Sequence, residues 1–169
     1  GVIPARYAST RFPGKPLAKI LGREMILWVL EGAKKAKCLD EVIVATDDQR
    51  IVKVVEEAGG RAIMTDSELP SGTDRIWQAI ENESCDVVVN IQGDEPLVTA
   101  NLVEALIAPM IADKKLEMAT LGHALSAEDV QSLNVVKVVT NVKNEALYFS
   151  RFPIPYSRVN AKHSTDIHG

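Results

Sequence analysis

The chain has 169 residues and a mass of 18.4 kDa, with 46% apolar and 25% charged residues; this is the make-up of a globular domain with its own core and excludes a disordered, collagen-like or disulfide-stapled chain. Nineteen Lys and Arg against 23 Asp and Glu leave a net charge of −4, so general attraction to nucleic acid or an anionic membrane is not expected. The longest uncharged apolar run, 25–30, is far below the roughly 20 residues that a bilayer span requires, no signal-peptide pattern is present, and Cys38 and Cys85, without CxxC or histidine partners, read as small core residues in a reducing, cytoplasmic compartment.

Only Val2 and Ile3 precede Pro4, a short first strand for a position that normally supplies about five residues. The chain opens without methionine and stops at Gly169 without a closing element, so it reads as a single α/β domain cut at both ends. Residues 25–37 set apolar side chains at 26, 27, 30 and 33 and end on Lys34, Lys35 and Lys37, a helix whose last turn suits its dipole. Residues 41–45 (EVIVA) are β-branched and apolar enough for a strand buried on both faces, as in parallel sheets. Helix 48–58 is stopped by Gly59 and Gly60, and Asp47 reads as its cap. A strand over 61–64, a helix over 73–81 and a second doubly buried strand over 86–91 (DVVVNI) follow. Next come a helix over 101–111 that tolerates Pro109 and a strand candidate over 118–125, before Ser126 and Asp129 form a capping box for a short helix. The tail differs, with antiparallel strands over 135–140 and 146–150 around a turn at 141–144. This order predicts a three-layer α/β sandwich on a mostly parallel, Rossmann-like sheet, with antiparallel strands in the later part.

Ligands of open α/β sheets bind beyond the carboxyl ends of the strands, so the segments after each strand carry the chemistry. Residues 4–17, PARYASTRFPGKPL, hold Arg6, Arg11 and Lys15 among Ser9, Thr10 and Gly14. Permanent cations, hydroxyls and backbone N–H groups in one loop suit a polyphosphate; with neither GxGxxG nor a Walker A pattern, side-chain charge must do most of the holding. After 86–91 come Gln92, Gly93, Asp94 and Glu95, where Asp94 is the better candidate for Mg²⁺, an ion that takes one or two carboxylates plus water and phosphate oxygens. Ser71, Gly72, Thr73, Asp74 and Arg75 open a helix and offer N–H groups and hydroxyls to an anion or a base, or simply a cap. Arg151 follows an aromatic strand and precedes two prolines, fixed toward a carboxylate ligand or snorkelling at an interface. His123 and His163 have no readable partner, and no Ser-His-Asp, Cys-His or zinc spacing is present.

In this order, IPARYASTRFPGKPL, SGTDR, NIQGDEPL, NVVKVV and ALYFSR closely resemble the sugar cytidylyltransferases, and SGTDR with ALYFSR resembles the branch that activates 3-deoxy-manno-octulosonate (Kdo) rather than sialic acid. The resemblance spans the chain and implies the sandwich of the nucleotide-diphospho-sugar transferases, CTP and Kdo as substrates, CMP-Kdo and diphosphate as products, a place in lipopolysaccharide biosynthesis, Mg²⁺ as cofactor and a homodimer. It implies Arg6 and Lys15 as triphosphate and catalytic cations, Ser9, Thr10, Arg11, Ser71, Gly72 and Arg75 as nucleotide-site residues, Gln92, Arg151 and His168 near the sugar, and Asp94 on the metal. Pro70 stands where the pattern has a polar residue, and the family's second acidic metal ligand falls in a portion beyond Gly169. Two other readings stay open: a cytidylyltransferase for another acidic sugar, sialic acid or an amino-Kdo, and a nucleotide-binding module without catalysis.

Overall fold

The structure, a computed structural model, describes residues 1–8 and 12–155. The chain groups into two compact units, Gly1–Ala119 and Thr120–Gly169. In the first, strand β1 (Val2–Ala5) leads through a 3₁₀ turn at Lys15–Leu17 to a small hairpin of β2 (Lys19–Ile20) and β3 (Arg23–Glu24), and then to helix α1 (Met25–Lys34). Strand β4 (Ile43–Thr46), helix α2 (Gln49–Glu57), strand β5 (Arg61–Met64), helix α3 (Gly72–Ile80) and helix α4 (Ala100–Ala112) complete it.

The sheet runs β1–β4–β5, all parallel, with Val2 opposite Ile43 and Ile43 opposite Arg61. All four residues of β4 are buried, as its apolar, mostly β-branched run predicts for a central parallel strand. Successive side chains of a strand face opposite ways, and the core divides accordingly. Ile3, Ala5 and Val44 pack with Ile26, Val29, Ile51, Val55, Val103 and Ile107 of α1, α2 and α4. Val2 and Ala45 pack with Ile76 and Ala79 of α3 on the other face. Helices therefore cover both faces, and the expected three-layer sandwich is the observed one. Gly32 lets α1 lie against the chain after the sheet, since a Cβ there would stand 2.3 Å from the Val98 carbonyl oxygen.

Four expectations change. Residues 86–91 run beside β1 through a single parallel bridge, Val2 N–H donating to Val89 O (2.8 Å) and Ile91 N–H to Val2 O (2.9 Å). Val89 and Ile91 are buried while Val88 is 39% exposed, so this segment buries one face, not two. Residues 118–125 form no strand: Met118 is 84% exposed, and the segment makes only an isolated bridge at Ala124. Cys85 is exposed and so is no core filler, while Cys38 is half-buried and packs against the main core; both are free thiols. The cap of α2 is Asp48, whose Oδ1 accepts Arg50 N–H at 2.9 Å, which leaves Asp47 for another task. The β2–β3 hairpin was not read from the sequence; Leu21 (φ 51°) and Gly22 (φ 81°) make its turn, the pair of positive φ angles that a two-residue hairpin uses.

In the second unit a 3₁₀ turn, Asp129–Gln131, is opened by Ser126, whose Oγ accepts Asp129 N–H at 3.1 Å. Strands β6 (Lys137–Thr140) and β7 (Ala146–Ser150) pair antiparallel with Val138 opposite Phe149, as the tail pattern predicts. Lys137 is fully buried, its ammonium donating to the carbonyls of Ser132, Val135 (3.1 Å) and Arg151 (3.0 Å).

Candidate active site

At the carboxyl end of β1 the chain turns from Ala5 into Arg6 and Tyr7. Here a small cleft of about 130 Å³ has Pro4 and Arg6 on one side, Ser71, Gly72 and Arg75 on another, and Gln92 on a third. Five residues chosen from three separate sequence segments thus meet at one edge of the sheet, the place where open α/β sheets bind ligands. The segment after the bridge turns on Gly93, where a Cβ would stand 2.7 Å from the Pro4 carbonyl oxygen. That close approach brings Asp94 to the basic loop, and Lys15 Nζ donates to Asp94 Oδ2 at 2.7 Å. Both side chains remain accessible, 40% and 50% exposed, so solvent screens the pair and either group is available to a ligand. Gln92 Nε2 donates to Asn90 Oδ1 at 3.0 Å.

Ser71 caps α3: its Oγ accepts Asp74 N–H at 3.1 Å and donates to the Asp74 carboxylate. Gly72, one position on, leaves the helix start open beside Pro4. Arg75, by contrast, is buried, and its guanidinium is engaged by protein groups: Nη2 donates to Asp47 Oδ2 at 3.0 Å, and Nη1 donates to Thr65 Oγ1. The basic loop is closed at its neck, because Gly14 N–H donates to Tyr7 O at 2.9 Å, and Gly14, at φ 70°, lies under the Tyr7 ring. Arg50 stacks on that ring, its Cζ 3.5 Å from the centroid, a cation–π geometry. Asp48 holds Arg50 in place by accepting Nε–H (2.9 Å) and Nη2–H (2.6 Å). Hydrogen bonding to Arg50 lowers the Asp48 carboxyl below its ordinary value and raises the guanidinium in turn.

Ser9, Thr10, Arg11 and His168 lie outside the described residues. Arg151 belongs to the second unit, where its Nη1 donates to Leu133 O (2.9 Å) and Asn134 O (3.3 Å). Sequence reasoning missed Tyr7, Arg50 and the Asp47–Arg75 pair. An aromatic residue two positions past a strand was the one visible sign of the first; the pair joins residues far apart in the chain and leaves no spacing to read.

Chemically, the edge combines accessible cations (Arg6, Lys15), an accessible carboxylate (Asp94), a helix start and an amide (Gln92), a set that suits a phosphate-bearing ligand. Asp94 also offers Mg²⁺ a hard oxygen donor. Among the described residues no three His, Cys, Asp or Glu gather to enclose a metal; a single carboxylate would hold Mg²⁺ only with phosphate oxygens and water completing its shell.

A cytidylyltransferase family model matches residues 1–166. The 3-deoxy-manno-octulosonate cytidylyltransferase of Bdellovibrio bacteriovorus is 57% identical over 169 residues, covering 100% of this chain and 68% of its own length. The Escherichia coli protein of that name is 48% identical over 157 residues, 93% of this chain and 64% of its own. The structure of CMP:2-keto-3-deoxy-manno-octonic acid synthetase complexed with CTP superimposes with a TM-score of 0.93 at 47% identity, covering 99% of this chain and 69% of that one. A cytidylyltransferase from Leptospira borgpetersenii, at 22% identity and a TM-score of 0.59, shares the fold. The chain spans about two thirds of the length of these curated relatives. With a family model over residues 1–166 and a relative 57% identical over 169 residues, the chain belongs to the cytidylyltransferase family, among the 3-deoxy-manno-octulosonate cytidylyltransferases.

Proposed function

We propose that this chain carries the nucleotide-binding part of an enzyme that joins CTP to Kdo, giving CMP-Kdo and diphosphate for lipopolysaccharide biosynthesis. The observation that carries the reading is the Lys15–Asp94 pair beside the cleft of Arg6, Ser71, Gly72 and Gln92, taken with relatives that bear this enzyme's name.

The anomeric hydroxyl of Kdo attacks the α-phosphorus of CTP in line. An O–P bond forms, the bond from the α-phosphorus to the bridging oxygen breaks, diphosphate leaves with the electron pair, and the hydroxyl proton passes to solvent. Nucleophile and electrophile are both anionic, so the protein's task is to align them and to offset charge on the phosphates. Lys15 and Arg6 stabilise charge growing on the α-phosphate and the leaving group. Lys15 is held at Asp94, two residues along the chain from Gln92 of the cleft. Gln92 faces the sugar side of the cleft, and Ser71 and Gly72 present the start of α3 to the nucleotide. Asp94 would hold Mg²⁺, which when bound offsets phosphate charge and orients the triphosphate. Ser9, Thr10, Arg11, Arg151 and His168 complete the proposed contacts, in a cytoplasmic homodimer with neither nucleic-acid nor membrane partners. No helix among the described residues is long and apolar enough to cross a membrane.

Diphosphate release from CTP and Mg²⁺, measured with Kdo, sialic acid and an amino-Kdo in turn, tests this reading. Turnover is expected with Kdo, and Lys15→Ala should lower kcat/KM by about 10²- to 10³-fold, the usual loss for one donor to a developing anion. Turnover with another acidic sugar and none with Kdo overturns the sugar assignment; CTP binding without turnover with any sugar leaves a binding module instead of an enzyme.

A further inference from the structure

We infer that Asp47 is a positioning residue that keeps the two walls of the cleft in register; its kinetic consequence rests on the function proposed above. One carboxylate reaches both walls. Oδ1 accepts the Tyr7 N–H at 3.3 Å, directly after Arg6, and Oδ2 accepts Arg75 Nη2–H at 3.0 Å. Arg75 sits one turn into α3, its own N–H bonded to Ser71 O at 3.2 Å, so holding its guanidinium holds the Ser71–Gly72 start of that helix.

The pair is 3% and 9% exposed, so water cannot replace either partner. The second amino group of Arg75 donates to Thr65 Oγ1, and Thr65 N–H donates to Thr46 O at 2.8 Å. The arginine is thus braced against the sheet as well as against the loop. The position of Tyr7 is also passed on: its carbonyl accepts Gly14 N–H and its ring covers Gly14, the residue before Lys15. Asp48 acts on the same tyrosine from the ring side, through Arg50. Adjacent carboxylates at the end of β4 therefore fix Tyr7 by its backbone and by its ring, and Asp47 alone extends that hold to α3. Removing its charge leaves a buried guanidinium half-partnered and frees the walls to shift, while Arg6 and Lys15 still attract the triphosphate. Alignment for the in-line step should suffer more than nucleotide binding.

The experiment compares Asp47→Asn with the parent in the full-length protein, reading diphosphate release and hydrogen–deuterium exchange together. For Asp47→Asn, kcat should fall by about 10²-fold, the scale of a small misplacement of reacting groups, with the KM for CTP changed less than about threefold. Exchange should quicken at Tyr7 and at 71–75 together. Val55→Ala, a core substitution away from the cleft, controls for stability: it should lower Tm and leave kcat unchanged. If Asp47→Asn does not fold, Thr65→Val, which removes only the second acceptor of Arg75, carries the same test with a fall of about tenfold. An active parent whose variant keeps kcat within twofold overturns the inference, as does exchange that changes at one wall and not the other. A parent that turns over no sugar defeats the proposed function instead, and the exchange result then decides the role of Asp47 by itself.

Discussion

A Cβ added at Gly93 would meet the Pro4 carbonyl oxygen at 2.7 Å and the Ile3 side chain at 3.5 Å. Pro4 belongs to β1, paired with β4 along its length, so the strand cannot give way and the turn must. Gly93→Ala should therefore destabilise the protein by about 1–3 kcal/mol, the usual cost of overpacking, and should move Asp94 away from Lys15. Urea unfolding measures the first effect, and weaker nucleotide binding in titration calorimetry reports the second. This is also the scale at which the sequence was most legible in part and most opaque in part. Lys15 and Asp94 could be chosen because each follows a strand, and the structure joins them. Arg75 could be chosen as part of SGTDR, but its burial against Asp47 depends on a contact between β4 and α3 that no local pattern records. Asp47 looked like a cap because it precedes a helix; Asp48 has the extended backbone and the geometry to serve, and the choice between neighbours one residue apart rests on dihedral angles.

At the scale of elements, the firm readings were those with both a period and a stop. Helix 48–58 and the strand 61–64 are found almost as read, because Gly59, at φ 71°, closes the helix where its amphipathic pattern ends. Segments 86–91 and 118–125 had the composition of strands but form only isolated bridges, and pairing is decided by the sheet rather than by the segment. The N-terminus of α2 shows what its cap contributes. Arg50 holds the folded Asp48 carboxyl below the ordinary value of 3.8, so the contribution is complete above that pH and is lost as the pH falls through the lower, folded value. Tm should thus be insensitive to this group from neutral pH to about pH 5 and should fall below pH 4. In Asp48→Asn that part of the acid loss should be reduced, which thermal melts at stepped pH will show; an unchanged acid limb would mean that the carboxylate is not held this way.

For the whole chain, charge and architecture point to the same edge. A net charge of −4 coexists with Arg6, Arg11 and Lys15 in one loop, so an anion is drawn to a local patch and not to the surface at large. The layered fold was legible because alternation along β1 and β4 forces helices onto both faces; the second unit was legible as a hairpin but not in the burial of Lys137. Its amine is fully buried among three carbonyl oxygens, while Lys15 is 40% exposed. Acylation of amines requires the nitrogen to meet reagent, so Lys137 is a built-in clock for the opening of the β6–β7 hairpin. In a pulse of amine-reactive label read by peptide mass spectrometry, Lys15 should be modified early and Lys137 last. The rate at Lys137 would then count openings of that hairpin that leave the rest of the chain folded.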